Sequence, residues 1–177
     1  MPVRYGHSIR RRAGAMQDYG TSAGIGFLAG LRTMSACAAL SWAAAHGRTR
    51  SAAIPAGPVA RTVATTAAFA EMAGDKMPFA PDRRIPPSFA VRLAIGAVGG
   101  WMFAGRRASP EAGALAGVAG AVAGTLLGRA ARGPGTGAPF GLARGLAEDL
   151  VAAGLAAALV ASAERQHRVR PSRRRSI

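Results

Sequence analysis

Small residues recur at four-residue spacing inside long apolar runs, and no other feature limits the fold of this 177-residue chain so tightly. Gly20 and Gly24, Gly26 and Gly30, Gly96 and Gly100, and then Gly120, Gly124 and Gly128 each fall about one helical turn apart. On a helix such positions share a face, and lacking side chains they let a neighbouring backbone approach closely. Gly26, Gly30, Gly96, Gly100, Gly120, Gly124 and Gly128 are therefore read as helix-packing positions. A phosphate-cradling loop is disfavoured, because no P-loop lysine follows them.

Composition points the same way. Half of the residues are apolar and only 6% are aromatic. Ala and Leu favour helix, Gly is tolerated where close packing or lipid compensates, and β-branched and aromatic residues are too sparse for a rich sheet. An all-α chain follows. Its formal charge of +15 would ordinarily suggest nucleic acid, yet the arginines sit at the ends of apolar runs. Arg4, Arg10, Arg11 and Arg12 precede the first run; Arg165, Arg168, Arg170, Arg173, Arg174 and Arg175 follow the last. Flanking arginines suit retention on the cytoplasmic side and contact with anionic headgroups. Without interleaved aromatics they offer no stacking platform, which disfavours nucleic acid as a partner.

The chain divides into a basic N-terminal tail (1–19), an apolar helical domain (20–163) and a basic C-terminal tail (164–177). Within the domain the first run, 24–45, would extend roughly 33 Å as one helix, enough to cross a bilayer core. A cleaved signal peptide is the rival reading, but the run is longer than a signal core and contains Arg32. The second segment, 59–79, is interrupted by Arg61, several threonines, Glu71, Asp75 and Lys76. It could not lie in lipid alone. Prolines then break the chain, and a third segment (88–105), a fourth (111–128), a Gly/Pro linker (133–139) and a fifth (141–162) follow. The expectation is an integral membrane helical bundle of four to five short Gly/Ala-rich segments. Two basic tails on one side require an even number of crossings, so the second segment is read as re-entrant or buried. "GFLAG" (26–30) is echoed by "GALAG" (113–117), each followed by an acidic cluster, as in the inverted repeats of many transporters.

Ionisable residues inside these runs are the candidate site: Arg32, Glu71, Asp75, Lys76, Arg92, Glu148 and Asp149. Glu71 and Asp75 stand one turn apart, and two poorly solvated carboxylates at that distance require a shared proton or a facing cation. Arg32 and Arg92 are the natural partners. A charge near the bilayer centre costs about 2.5 to 3.5 kcal/mol on insertion scales and seeks an internal counter-charge. Two readings stay open for Arg32 and Glu71, a pocket handling a proton, ion or anionic solute, or an ion-pair network that locks helices together. Lys76 and the Asp82–Arg84 group read as solvated among headgroups, and Glu148 and Asp149 suit the dipole of a helix N-terminus.

Enzymatic chemistry finds little support. There is no HExxH and no Ser/His/Asp set, and His7, His46 and His167 lie in basic flanks. The single Cys37 precludes an intramolecular disulfide framework or a cysteine zinc cluster. No cofactor and no metal are expected.

Read in order, "AGLRTMSACAALSWAA", "DKMPFAPDRRIPP", "GALAGVAGAVAGTLLG" and "LAEDLVA" resemble a family of small bacterial membrane proteins, domain-of-unknown-function family 4126 (DUF4126). The resemblance covers about 24–162. It implies a multi-pass protein of the bacterial cytoplasmic (inner) membrane with a shared polar set of Arg32, Glu71, Asp75, Lys76, Pro78, Glu148 and Asp149, and it supplies no activity. Here "PDRR" replaces the small hydroxylated residue expected before the arginine. The leading expectation is a small transporter or channel with both termini cytoplasmic. Its alternatives are a non-catalytic scaffold that binds anionic lipid or a partner helix through its glycine faces, and a lipid-phosphate enzyme. A homo-oligomer is compatible with helices this short.

Overall fold

Prolines mark where helices begin. Pro58, Pro86 and Pro110 are each the first residue of a helix, where the missing N–H has no partner to lose and the fixed φ suits the first turn. Gly47 marks an end: its φ of 69° is open to glycine without strain. Around it the Arg48 N–H donates to the Ala43 carbonyl at 3.1 Å and the Gly47 N–H to that of Ala44 at 2.9 Å, the paired bonds that close a helix with a left-handed residue. The computed structural model describes residues 4–74, 86–104, 109–132 and 138–168. They form α1 (Arg4–Leu31), α2 (Thr33–Ala45), α3 (Pro58–Gly74), α4 (Pro86–Phe103), α5 (Pro110–Arg132) and α6 (Ala138–Arg168).

The all-α expectation holds, with one helix more than the segments suggested. The first apolar run is two helices, because Arg32 alone is extended (φ −145°, ψ 105°) between α1 and α2. This is a reversal rather than a kink. A Cβ placed on Gly99 would lie 3.1 Å from Ile25 and 3.5 Å from Leu40, residues that would stand about 22 Å apart on a continuous helix. Farther along, the carboxylate of Asp18 acts on the guanidinium of Arg48. α1 and α2 therefore form a tight hairpin with Arg32 at its tip.

The remaining helices alternate in direction. Glu71 at the end of α3 meets the start of α2, and Thr65 meets Trp42. Arg92 near the start of α4 reaches Gly30, whereas Gly100 near its end meets Ser22. Gly113 of α5 faces Gly100 and Gly124 faces Gly30. Asp149 of α6 meets Arg32, and Leu159 meets Gly24. The bundle thus has a tail end, where α1 enters and α6 leaves, and a break end, where Arg32 lies.

This arrangement overturns one expectation and bears on two others. α1 and α5, which carry GFLAG and GALAG, run the same way, so these segments are not related by inversion. Helix α1 starts at Arg4 and α6 continues to Arg168, so the described part of each basic tail is helical; Ala138 and Pro139 of the supposed linker belong to α6. Among the described residues only 110–131 and 145–162 are long and apolar enough to span a membrane, with shorter apolar helices at 33–45 and 87–103.

Glycines bring α1, α4 and α5 into backbone contact. A Cβ on Gly26 would collide with the Gly117 carbonyl, one on Gly30 with that of Ala121, and one on Gly117 with that of Gly96. Gly96, Gly100, Gly120 and Gly124 are equally closed by facing backbone. Gly128 differs, since its nearest neighbours are the side chains of Leu31 and Glu148.

Charged and polar side chains share the apolar interior, and several large apolar side chains lie on the surface. Arg32, Arg92, Asp149, Ser22, Ser35 and Ser41 are buried with Ala, Ile and Leu. Val59 (76% exposed), Leu150 (74%), Leu115 (70%) and Phe69 (67%) face outward.

Candidate functional site

A helix interrupted at one residue leaves orphan carbonyls on one side and orphan N–H groups on the other. Local signals for this break are slight, because "AGLRTM" holds no proline, Gly30 is itself helical and only Thr33 suits a helix start. Tertiary partners satisfy both ends. On the α1 side, the Leu28 carbonyl accepts from the Arg32 N–H at 2.7 Å and that of Ala29 from the Thr33 hydroxyl at 3.5 Å. The Gly30 carbonyl accepts from Arg92 Nη1 at 2.5 Å and from Thr125 Oγ1 at 3.4 Å. Arg92 also reaches the Leu31 carbonyl at 3.4 Å. A buried guanidinium therefore caps the negative end of the α1 dipole.

On the α2 side, Glu71 receives two backbone donors: Thr33 N–H to Oε1 at 3.1 Å and Met34 N–H to Oε2 at 2.9 Å. Its carboxylate replaces the absent side-chain cap of Arg32 and complements the positive end of the helix. Each half-helix thus ends on a charge of opposite sign to its own dipole.

The Arg32 side chain departs from both ends and enters α6. It is 2% exposed. Its Nη2 donates to Asp149 Oδ1 at 2.5 Å, and its Nε lies 3.7 Å from Glu148 Oε1. Burial removes solvent screening from these contacts, so the pair is costly to break from one side only. The five ionisable groups around the break sum to one formal negative charge, two guanidiniums against three carboxylates.

The structure thus joins Arg32, Glu71, Arg92, Glu148 and Asp149 into one constellation but pairs them differently from the expectation. Glu71 meets backbone N–H groups rather than Arg32 or Arg92, because an interrupted helix presents donors that a continuous one would not. Glu148 and Asp149 do not serve a helix N-terminus, since α6 starts at Ala138. Asp75, Lys76, Pro78 and the Asp82–Arg84 group lie outside the described residues. Sequence reasoning missed Thr33, Met34 and Thr125, of which only the Thr after Arg32 carried a helix-start signal. It also missed the packing roles of Gly99, Gly113 and Gly117.

Depth matters for what this constellation can do. Asp149 is four residues inside the apolar stretch 145–162 and Thr125 six residues inside 110–131, which sets the break roughly 6 to 9 Å from the ends of those stretches at 1.5 Å per residue. The charges sit near one end of the bundle, not at its centre.

Comparison with family models, curated proteins and solved structures finds no match.

Proposed function

We propose that the chain is a small multi-pass membrane protein that passes a proton or small cation through the constellation at the α1–α2 break. The observation that carries the reading is the interrupted helix itself, with Arg92 on one broken end, Glu71 on the other and Arg32 held by Asp149. Interrupted helices place charged dipole ends inside an apolar setting, and transporters coordinate ions and substrates there. Membrane embedding is supported by the large apolar residues on the outside and the buried charges within. α2, with 13 residues, is too short to cross a core of about 30 Å. In this reading the α1–α2 hairpin as a whole is re-entrant, entering and leaving at the tail end, a role that the sequence suggested for segment 59–79.

A proton or small cation is favoured over an anionic solute because carboxylates outnumber guanidiniums around the break. Orientation follows from charge. The tail end carries Arg48 and Arg50, and there α1 enters from the arginine-rich N-terminal segment and α6 leaves toward the C-terminal one. The positive-inside rule then puts both termini in the cytoplasm and the break toward the opposite face. The scaffold alternative loses part of its basis, since the glycine faces proposed to bind a partner helix are occupied within the chain.

Flux in proteoliposomes tests the reading. The wild-type protein is expected to carry protons or a monovalent cation, and Glu71→Gln and Asp149→Asn, shown to be folded by circular dichroism and monodisperse elution, are expected to lower flux at least tenfold. Unaltered flux in both folded variants, or none in the wild type across protons and monovalent cations, rules the assignment out.

A further inference from the structure

We propose that the cleft between α3 and α6 is a binding site for an anionic phospholipid, with part of an acyl chain in the cleft and the headgroup phosphate on Arg61. The inference rests on the membrane reading above but not on transport. The cleft measures about 400 Å³, with Ala39 of α2 as its floor and Phe69 of α3 and Ala157 of α6 among its walls. Along α6 its lining extends from Ala153 to Ala161, roughly 12 Å at 1.5 Å per residue. That accommodates the upper part of one acyl chain.

Trp42 lines the cleft, and the guanidinium carbon of Arg61 lies 4.7 Å from the centre of that ring. Two hydrogen bonds hold the arrangement: Trp42 Nε1–H donates to Thr65 Oγ1 at 3.2 Å, and the Thr65 hydroxyl donates to the Arg61 carbonyl at 2.7 Å. Arg61 has no carboxylate within ion-pair distance among the described residues, and its Nε is buried without a hydrogen bond. A half-buried guanidinium stacked on an indole therefore keeps an uncompensated charge and unused donors. Phosphate oxygens match that fork.

Apolar cleft and cationic fork adjoin, since Thr65 lines the cleft one turn from Arg61. Free phosphate would use only the fork, and a neutral lipid only the cleft. An amphiphile with an anionic head uses both. A second cleft, about 550 Å³ between α5 and α6, is lined entirely by apolar residues and has no comparable means of selecting a headgroup. Arg61 also belongs to the basic tail end of the bundle, which in the proposed orientation faces the leaflet where anionic headgroups meet the arginine-rich termini.

The test uses the full chain with Trp101→Phe, which leaves Trp42 as the only tryptophan, in phosphatidylcholine vesicles doped with brominated phosphatidylglycerol or brominated phosphatidylcholine. Brominated phosphatidylglycerol is expected to quench Trp42 at about fivefold lower mole fraction, the factor that one arginine at an anionic surface supplies. Arg61→Gln is expected to merge the two curves, whereas Arg61→Lys retains most of the preference. Ala157→Phe, which fills the cleft, is expected to weaken quenching by both lipids. Equal quenching by the two lipids before any change at Arg61 overturns the site, as does a preference that survives Arg61→Gln and so belongs to the tails. If Arg61→Gln does not fold, undiminished quenching in folded Ala157→Phe overturns it. Protein that fails to float with the vesicles removes the membrane reading and the lipid site together, whereas floating protein without lipid preference removes the site alone.

Discussion

The two sides of this bundle pack by different rules. α1, α4 and α5 meet backbone to backbone through glycines, so closely that an added methyl group at Gly26, Gly96, Gly100 or Gly117 would strike a facing carbonyl or Cβ. α2, α3 and α6 meet through side chains and leave a cleft of about 400 Å³ among them. Dispersion forces fall steeply with a gap of even half an ångström, so the first contact surface has one geometry and the second tolerates several. Arg32 is the joint between them. α1 belongs to the close-packed side and α2 to the open one, and charged residues from both sides hold the joint.

Breaking the close-packed side should have the largest effect. Gly117→Leu pushes α5 away from both α1 and α4, and it is expected to cost about 3 kcal/mol or more, read as loss of folded, detergent-stable protein. The same substitution at Gly154, which has nothing within 4 Å, is expected to leave the elution profile unchanged. Equal damage at both positions would erase the contrast between the two sides.

Cutting the joint comes next. Asp149→Asn leaves the buried Arg32 with a weaker acceptor and is expected to lower stability by about 3 kcal/mol, seen as a fall in the detergent melting temperature. Replacing both partners, as in Arg32→Met with Asp149→Leu, should cost less than the sum of the two single changes. Strict additivity would show that the ion pair does not couple α6 to the break.

Glu71→Ala should cost about 1 to 2 kcal/mol, because two backbone donors lose their acceptor. Its effect should be confined to the open side, with faster amide exchange at the start of α2 and through α3 but not in α4 or α5. The smallest effect is expected from Gly154→Ala: this helical glycine has room for a methyl group, so a stabilisation of about 0.4 to 1 kcal/mol follows from reduced freedom of the unfolded chain.

How much of this was legible in the chain varies with the range of the interaction. Glycine spacing marked Gly26, Gly30, Gly96, Gly100, Gly120 and Gly124 as contact positions, since one-turn periodicity is a local property. Gly113 and Gly117 carry the same four-residue spacing within GALAG and were equally legible; what spacing cannot give is which backbone lies opposite each glycine. Charge inside apolar runs singled out Arg32, Glu71, Arg92, Glu148 and Asp149, as burial of an ionisable group is costly wherever it occurs. Their pairing was not legible. Arg32 and Asp149 are separated by 117 positions, and no local pattern says which acid a buried arginine will meet.

That the chain is helical, that certain helices must approach closely and which charges require partners were all legible in local residue chemistry. Each follows from the chemistry of a residue and its neighbours within about one turn. The reversal of the first apolar run at Arg32, by contrast, depends on contacts made after folding. A helix interrupted without proline or an intervening loop leaves several backbone groups unpaired, and the break persists because Arg92 from α4, Glu71 from α3 and Thr125 from α5 arrive to satisfy them. Stability at that point is supplied from three distant parts of the chain, and a reading along one strand of residues has no access to groups that meet only after folding.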